Sequence, residues 1–206
     1  MSHASIQIIH DEHSTLAAIL RSMGLMVDRG PADNPAGFFD VLRAMLFYID
    51  EFPERLHHPK ESELLFPLVV RVAPEVQATV NQLESDHQKG EGAVRELQHL
   101  LLAWELIGES RRSAFDQAQK KYREFYLAHM QLEEKVILPT AQKMLSASDW
   151  QLLDEAFTRN CDPLTGKYPR DPSYDRLFSR IVLQAPAPIG VGPESGATRL
   201  PQPSNG

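Results

Sequence analysis

Eight histidines mark the 206-residue chain, at positions 3, 10, 13, 57, 58, 87, 99 and 129. Three are followed four residues later by a glutamate: His57–Glu61, His87–Glu91 and His129–Glu133. The sixteen glutamates, placed at random, would give less than one such pair on average. Residues four apart on an α-helix lie about 40° apart around the axis and one turn along it, so both side chains face the same way. Imidazole and carboxylate on one face are either an ordinary surface pair or two ligands for a cation. Mixed donors of this kind suit iron best, with manganese or zinc as substitutes.

The elements that carry these residues decide between the two. Residues 5–27 place Ile9, Leu16, Leu20, Met23 and Val27 on one helical face, and His13 falls on that face between Ile9 and Leu16. The segment GPADNPAG, 30–37, reads as a loop. A second helix carries Phe38, Leu42, Met45, Ile49 and Phe52. Pro53 and Pro59 then predict a kink or break before ESELLFPLVVRV. Pro74 suits the first residue of a third helix, whose stripe runs Val76, Val80, Leu83, His87, Gly90, Val94, Leu97, Leu101, Trp104 and ends at Gly108. A fourth carries Phe115, Ala118, Tyr122, Phe125, His129, Leu132 and Val136, with a bend predicted at Pro139.

These stripes predict an all-α chain: an up-down-up-down four-helix bundle over 1–145. Residues 146–184 read as a short helical extension. Ser148 to Gln151 is the predicted capping box of a helix holding Trp150, Leu153 and Phe157, and 174–184 is amphipathic. Pro, Gly and Ser dominate 185–206, which reads as an extended or disordered tail.

His87 and His129 stand where the stripes call for Leu or Val, so each long segment directs at least one imidazole inward. A buried polar side chain is costly unless satisfied. Two cations bridged by carboxylates satisfy several buried histidines and glutamates together. The local choices are Glu133 over Glu134, because +4 keeps the carboxylate on the His129 face, and His57 over its neighbour His58, because His57 has Glu61 at +4. His3, His10 and His99 have no such partner and read as bystanders.

An inward His, then HHPKE, then DHQKGE, then HMQLEEKVILP resembles the hemerythrin-like HHE cation-binding domains, over about residues 5–145. The resemblance implies a non-haem di-iron centre inside the bundle, held by His13, by His57 with Glu61, by His87, and by His129 with Glu133. Glu61 and Glu133 would bridge, with Glu91, Glu134 and His58 as further candidates. Oxygen-carrying hemerythrins resemble a pattern with a second histidine on the third helix, where this chain has Glu91. That difference implies four imidazoles rather than five and an extra carboxylate, which would favour ferric iron.

The net charge of −7 and pI near 5.6 exclude the basic footprint of a nucleic-acid binder. One cysteine, Cys161, allows no intrachain disulfide and suits the cytoplasm. No run reaches the roughly 18 apolar residues of a membrane span, and MSHASIQIIHDEH does not read as a signal peptide. Walker, dinucleotide and nucleophile-triad signatures do not occur. The expected function is therefore metal binding rather than catalysis: a sensor or store of iron, O2, nitric oxide or redox state. A di-iron oxidase or peroxide-decomposing enzyme, with Tyr122 and Tyr126 near the centre, is one alternative. A bundle whose inward His and Glu form only a hydrogen-bond network is the other. Monomer and homodimer both fit, with Trp150 and 174–184 as the faces a dimer would use.

Overall fold

The computed structural model describes residues 3–165 and 172–192. Among the described residues there is no strand. Helix α1, Ala4–Arg29, buries Ile9, Leu16, Leu20, Met23 and Val27 on the predicted face. It stops at Gly30, whose φ of +75° is the left-handed region glycine enters without a Cβ penalty. Asn34 caps the next helix, its side chain accepting from the Gly37 amide, and Pro35 takes the first turn.

Helix α2 spans 35–72. It begins as Pro35–Ile49 and continues where the prolines predict a kink or break. Asp50–His57 and Glu61–Leu65 wind as π-helix, separated by His58–Lys60, and Phe66–Val72 finishes the helix. A proline ring lacks an N–H and crowds the preceding turn. The wider π turn absorbs both defects locally, so the helix stays continuous. A single 3-10 turn, Pro74–Val76, leads into α3, Gln77–Ile107, which Gly108 closes at a φ of +106°. Helix α4 spans 112–144: Arg112–Leu132, a π stretch Glu133–Ile137, then Leu138–Met144 behind Pro139.

α1 packs on α2 and α4, and α3 packs on the same two, which closes the antiparallel four-helix bundle. Its core is in two apolar halves. One gathers Leu16 to Val27, Phe38 to Phe52, Val94 to Trp104 and Phe115 to Met130. The other gathers Ile6 to Ile9, Leu65 to Val69, Val76 to Leu83 and Ile137 to Ala141. Every histidine and glutamate singled out on the stripes except Glu91 falls between those halves, so the bundle is built as apolar, polar, apolar along its axis.

Helix α5, Ala147–Thr158, lies against α1, where the Ser5 amide and hydroxyl both donate to Asp154 at 2.8 and 2.6 Å. Its capping box is Ser146 with Asp149 rather than the predicted Ser148 with Gln151, because Ser148 already sits inside the first turn. Trp150 is buried under the His3 ring, stacked at 4.0 Å, and so offers no dimer face. Helix α6, Asp175–Gln184, docks on α2 and buries Ile181.

The first eight residues of the predicted tail fold back on the protein. Val191 and Gly192 amides donate to the Val182 and Ala185 carbonyls, and Ser22 of α1 donates to the Pro186 carbonyl while accepting from the Ile189 amide. The rest of the predicted tail, 193–206, lies outside the described residues. No helix among the described residues is long and apolar enough to cross a membrane.

Candidate metal centre

Seven side chains converge between the two apolar halves. α1 supplies His13, α2 supplies His57, His58 and Glu61, α3 supplies His87, and α4 supplies His129 and Glu133. All are between 0 and 7 % exposed. Glu61 presents Oε1 to His57 Nε2 at 3.1 Å and Oε2 to His87 Nε2 at 3.4 Å. Glu133 presents Oε2 to His13 Nε2 at 3.2 Å and Oε1 to His129 Nε2 at 3.2 Å. Each carboxylate therefore spans two groups of imidazoles. His13, His57, Glu61 and Glu133 form one set of donors and Glu61, His87, His129 and Glu133 a second, each within 4.8 Å. His58 joins the second side, within the same distance of His87 and His129 and stacked on the His87 ring at 4.2 Å.

These distances are short, yet the atoms do not pair with one another. Both oxygens of Glu61, both oxygens of Glu133 and Nε2 of His57 are fully buried and make no hydrogen bond. They point toward shared positions instead of along donor–acceptor lines. Four unsatisfied carboxylate oxygens in an interior are costly, and buried charges are ordinarily paired or coordinated to metal. The donor set fits a metal cation, and Glu61 and Glu133 belong to both four-residue groups of donors.

The sequence left His57 and His58 as alternatives, because neighbours on an α-helix diverge by about 100°. The structure places both inside, 4 and 5 % exposed. The π stretch Asp50–His57 changes the angular step at this point and lets consecutive rings enter the core. The centre thus gathers five imidazoles, not four. Glu91 is corrected in the opposite direction: it is exposed and accepts from Arg95 at 3.1 Å. The inner stripe of α3 passes from His87 through Gly90 to Val94, which turns position 91 to the outer edge. Glu134 lies over His13 from outside, Oε1 at 3.0 Å from Nδ1, while Glu133 is the buried one of the pair.

The Nδ1 atoms of four rings are held from outside. His57 donates to Glu12 Oε2 at 2.6 Å, His13 pairs with Glu134, His58 with Glu54 Oε2 at 3.2 Å, and His87 with the Ser62 hydroxyl at 3.0 Å. Such partners fix ring orientation and turn Nε2 toward the middle of the layer, where a cation would bind. Glu54 in turn accepts from the Tyr126 hydroxyl at 2.5 Å and from Tyr122 at 3.1 Å. Sequence reasoning looked for glutamate after histidine and so missed Glu54, which stands four residues before His58. Glu12 carried no local signal except adjacency to His13. His3 and His10 lie near the surface and His99 is exposed, away from this layer.

Protonation follows the same geometry. Burial and the neighbouring His87, His57 and His129 push His58 well below the usual imidazole range, so it is neutral and able to bind a metal. Burial also pulls His13 down, but the neighbouring carboxylates of Glu133 and Glu134 outweigh it and carry the ring to about 9. His57 is likewise raised, with Glu61 and Glu12 overcoming burial. Burial would raise Glu133, yet His129 and His13 hold it well below the usual carboxylate range. The carboxylates thus stay ionised, with positive charge drawn to the rings around them.

A small cavity borders the layer at His13, His57 and His58 and is also lined by Leu16, Phe52 and Met130. Its free interior of about 10 Å³ holds about one water-sized molecule.

A family model described as the hemerythrin HHE cation binding domain matches residues 4–141. No curated protein matches the chain.

Proposed function

Since the chain belongs to the hemerythrin HHE cation-binding family, we propose that its polar layer holds a non-haem di-iron centre that senses or stores O2, nitric oxide, iron or redox state. The observation that carries this reading is the division of the unpaired oxygens of Glu61 and Glu133 between two groups of imidazoles. One iron would sit with His13 and His57, the other with His58, His87 and His129, and both glutamates would serve both. Imidazole mixed with carboxylate favours iron, with manganese or zinc able to substitute. Iron supplies ferrous–ferric redox chemistry and affinity for diatomic ligands.

The protein's own residues set what reaches the centre. The His13–His57 side has fewer protein donors than the other, and both of its imidazoles line the cavity, with His58 of the other side also at its wall. Room for about one water-sized molecule supports a diatomic ligand or peroxide over a larger organic substrate. With Glu91 at the surface and His58 inside, the donor set is richer in nitrogen than the sequence implied. This weakens the argument for a purely ferric site.

A second reading, peroxide decomposition, has one observation in its favour. The hydroxyl of Tyr126, the carboxylate of Glu54 and Nδ1 of His58 form a continuous hydrogen-bonded chain to the layer, suited to moving a proton. The test is optical. Protein loaded anaerobically with ferrous iron is exposed to O2 or nitric oxide, and each is expected to produce new charge-transfer bands that reverse when the ligand is removed. A loaded protein whose spectrum responds to neither would overturn the sensing reading. Rapid O2 evolution from peroxide, lost in His129→Ala, would favour the enzyme.

A further inference from the structure

The polypeptide beyond the family match reaches back into the metal layer. Asn160 follows α5 and is 5 % exposed. Its Nδ2 donates to both oxygens of Glu12, at 2.9 and 3.0 Å. Glu12 is the residue that receives Nδ1–H of His57. The amide oxygen of Asn160 accepts from Lys60 Nζ, one position before Glu61 on α2. Two positions on, Asp162 accepts from the Tyr48 hydroxyl at 2.5 Å and borders the same small cavity. Cys161, between them, has a φ of +47°, a conformation few non-glycine residues adopt. It turns the chain so that Asn160 and Asp162 are both buried.

We propose that Asn160 is a positioning residue of the metal centre. It clamps Glu12, Glu12 fixes the His57 ring, and the ring presents Nε2 beside Glu61. The clamp has a clear physical purpose. Glu12 is a buried carboxylate, and a neutral amide that binds both its oxygens holds it in one orientation without neutralising it. The Glu12 carboxylate held in this orientation accepts from Nδ1 of His57, so Nε2 is the nitrogen that faces Glu61. The centre is therefore incomplete in the matched segment 4–141 alone. This inference rests on the metal-centre reading, and it goes beyond that reading by assigning a role to the extension.

The test is Asn160→Leu in the full chain, which keeps the volume and removes the clamp. Wild type and variant are titrated with cobalt(II) and ferrous iron against a competing chelator, and the metal-free proteins are melted in parallel. The variant is expected to bind one of two ions about 10–100-fold more weakly, the usual effect of losing such an outer partner. The other ion should keep its affinity, while the metal-free melting point falls modestly because buried Glu12 loses two hydrogen bonds. Asn160→Asp, which sets a carboxylate against Glu12, should show the same selective loss and is read instead if the leucine variant fails to fold. Unchanged affinity for both ions overturns the inference, as does equal weakening of both. A wild type that binds neither ion overturns the metal-centre reading itself, a distinct result.

Discussion

His57 and His58 are consecutive, and both rings enter the bundle interior, with centroids 5.5 Å apart and planes at 77°. The two rings serve opposite sides of the layer. His57 faces Glu61 Oε1, while His58 stacks on His87. A π stretch produced around Pro53 makes this possible, so a proline that looks like an interruption instead adds a fifth imidazole to the centre.

It follows that His58→Ala should weaken binding at one of two cation positions, in the same way as His87→Ala. Glu91→Gln should leave both unchanged, since its carboxylate is at the surface with Arg95. Metal titration of the three variants checks this. Wild-type binding in His58→Ala would mean the ring only fills space.

Gly90 is required by the close approach of Tyr126. A Cβ at position 90 would lie 1.9 Å from the Tyr126 hydroxyl and 3.0 Å from Glu54 Oε1. Gly90→Ala should therefore destabilise the protein by about 1–3 kcal/mol, the usual cost of overpacking. Tyr126→Phe removes the atom most crowded, so the double variant should recover part of the loss. Denaturant melts of the four proteins give the coupling, and strict additivity would contradict the contact.

Asp162 gives the protein a pH signature. Burial raises its carboxyl to about 6, against the lowering effect of the Tyr48 hydroxyl and Leu164 amide. Nearby Glu12 adds to the rise and His57 opposes it. The folded protein thus binds this proton more tightly than the unfolded chain. The stability contributed by Asp162 falls as pH rises from about 4 to 6 and stays lost above that. Asp162→Asn should gain on wild type over this window, by up to about 3 kcal/mol at neutral pH. Melting both proteins between pH 4 and 8 checks the sign, and a constant difference would contradict it.

The cap of α5 separates two neighbouring serines. Ser146 accepts from the Asp149 amide and Asp149 returns the bond to the Ser146 amide. Ser146→Ala should cost about 1 kcal/mol, and Ser148→Ala much less. The reverse order in thermal melts would place the helix start where the sequence alone put it.

What the sequence revealed and what it hid have separate physical causes. The four apolar stripes were legible because burial on one helix face imposes a 3.6-residue period. His87 and His129 stood out as breaks in that period. The π turns were not legible, since Pro53 and Pro59 signal interruption and nothing local says how the backbone will absorb it. Glu12 and Asn160 were hidden for another reason. They act through contacts 45 and 148 residues apart in sequence, which only the assembled bundle creates. Composition reads 185–192 as tail, and nothing local to that segment shows the bonds from Ser22 on α1 that hold it.

The central claim is that Glu61 and Glu133 each serve two cations. Elemental analysis after ferrous loading and desalting tests it most directly. The account predicts about two irons per chain in the wild type, about one in His13→Ala, and loss of both in Glu133→Ala. A wild type that retains no metal after loading, or a Glu133→Ala variant that still holds two, would contradict it.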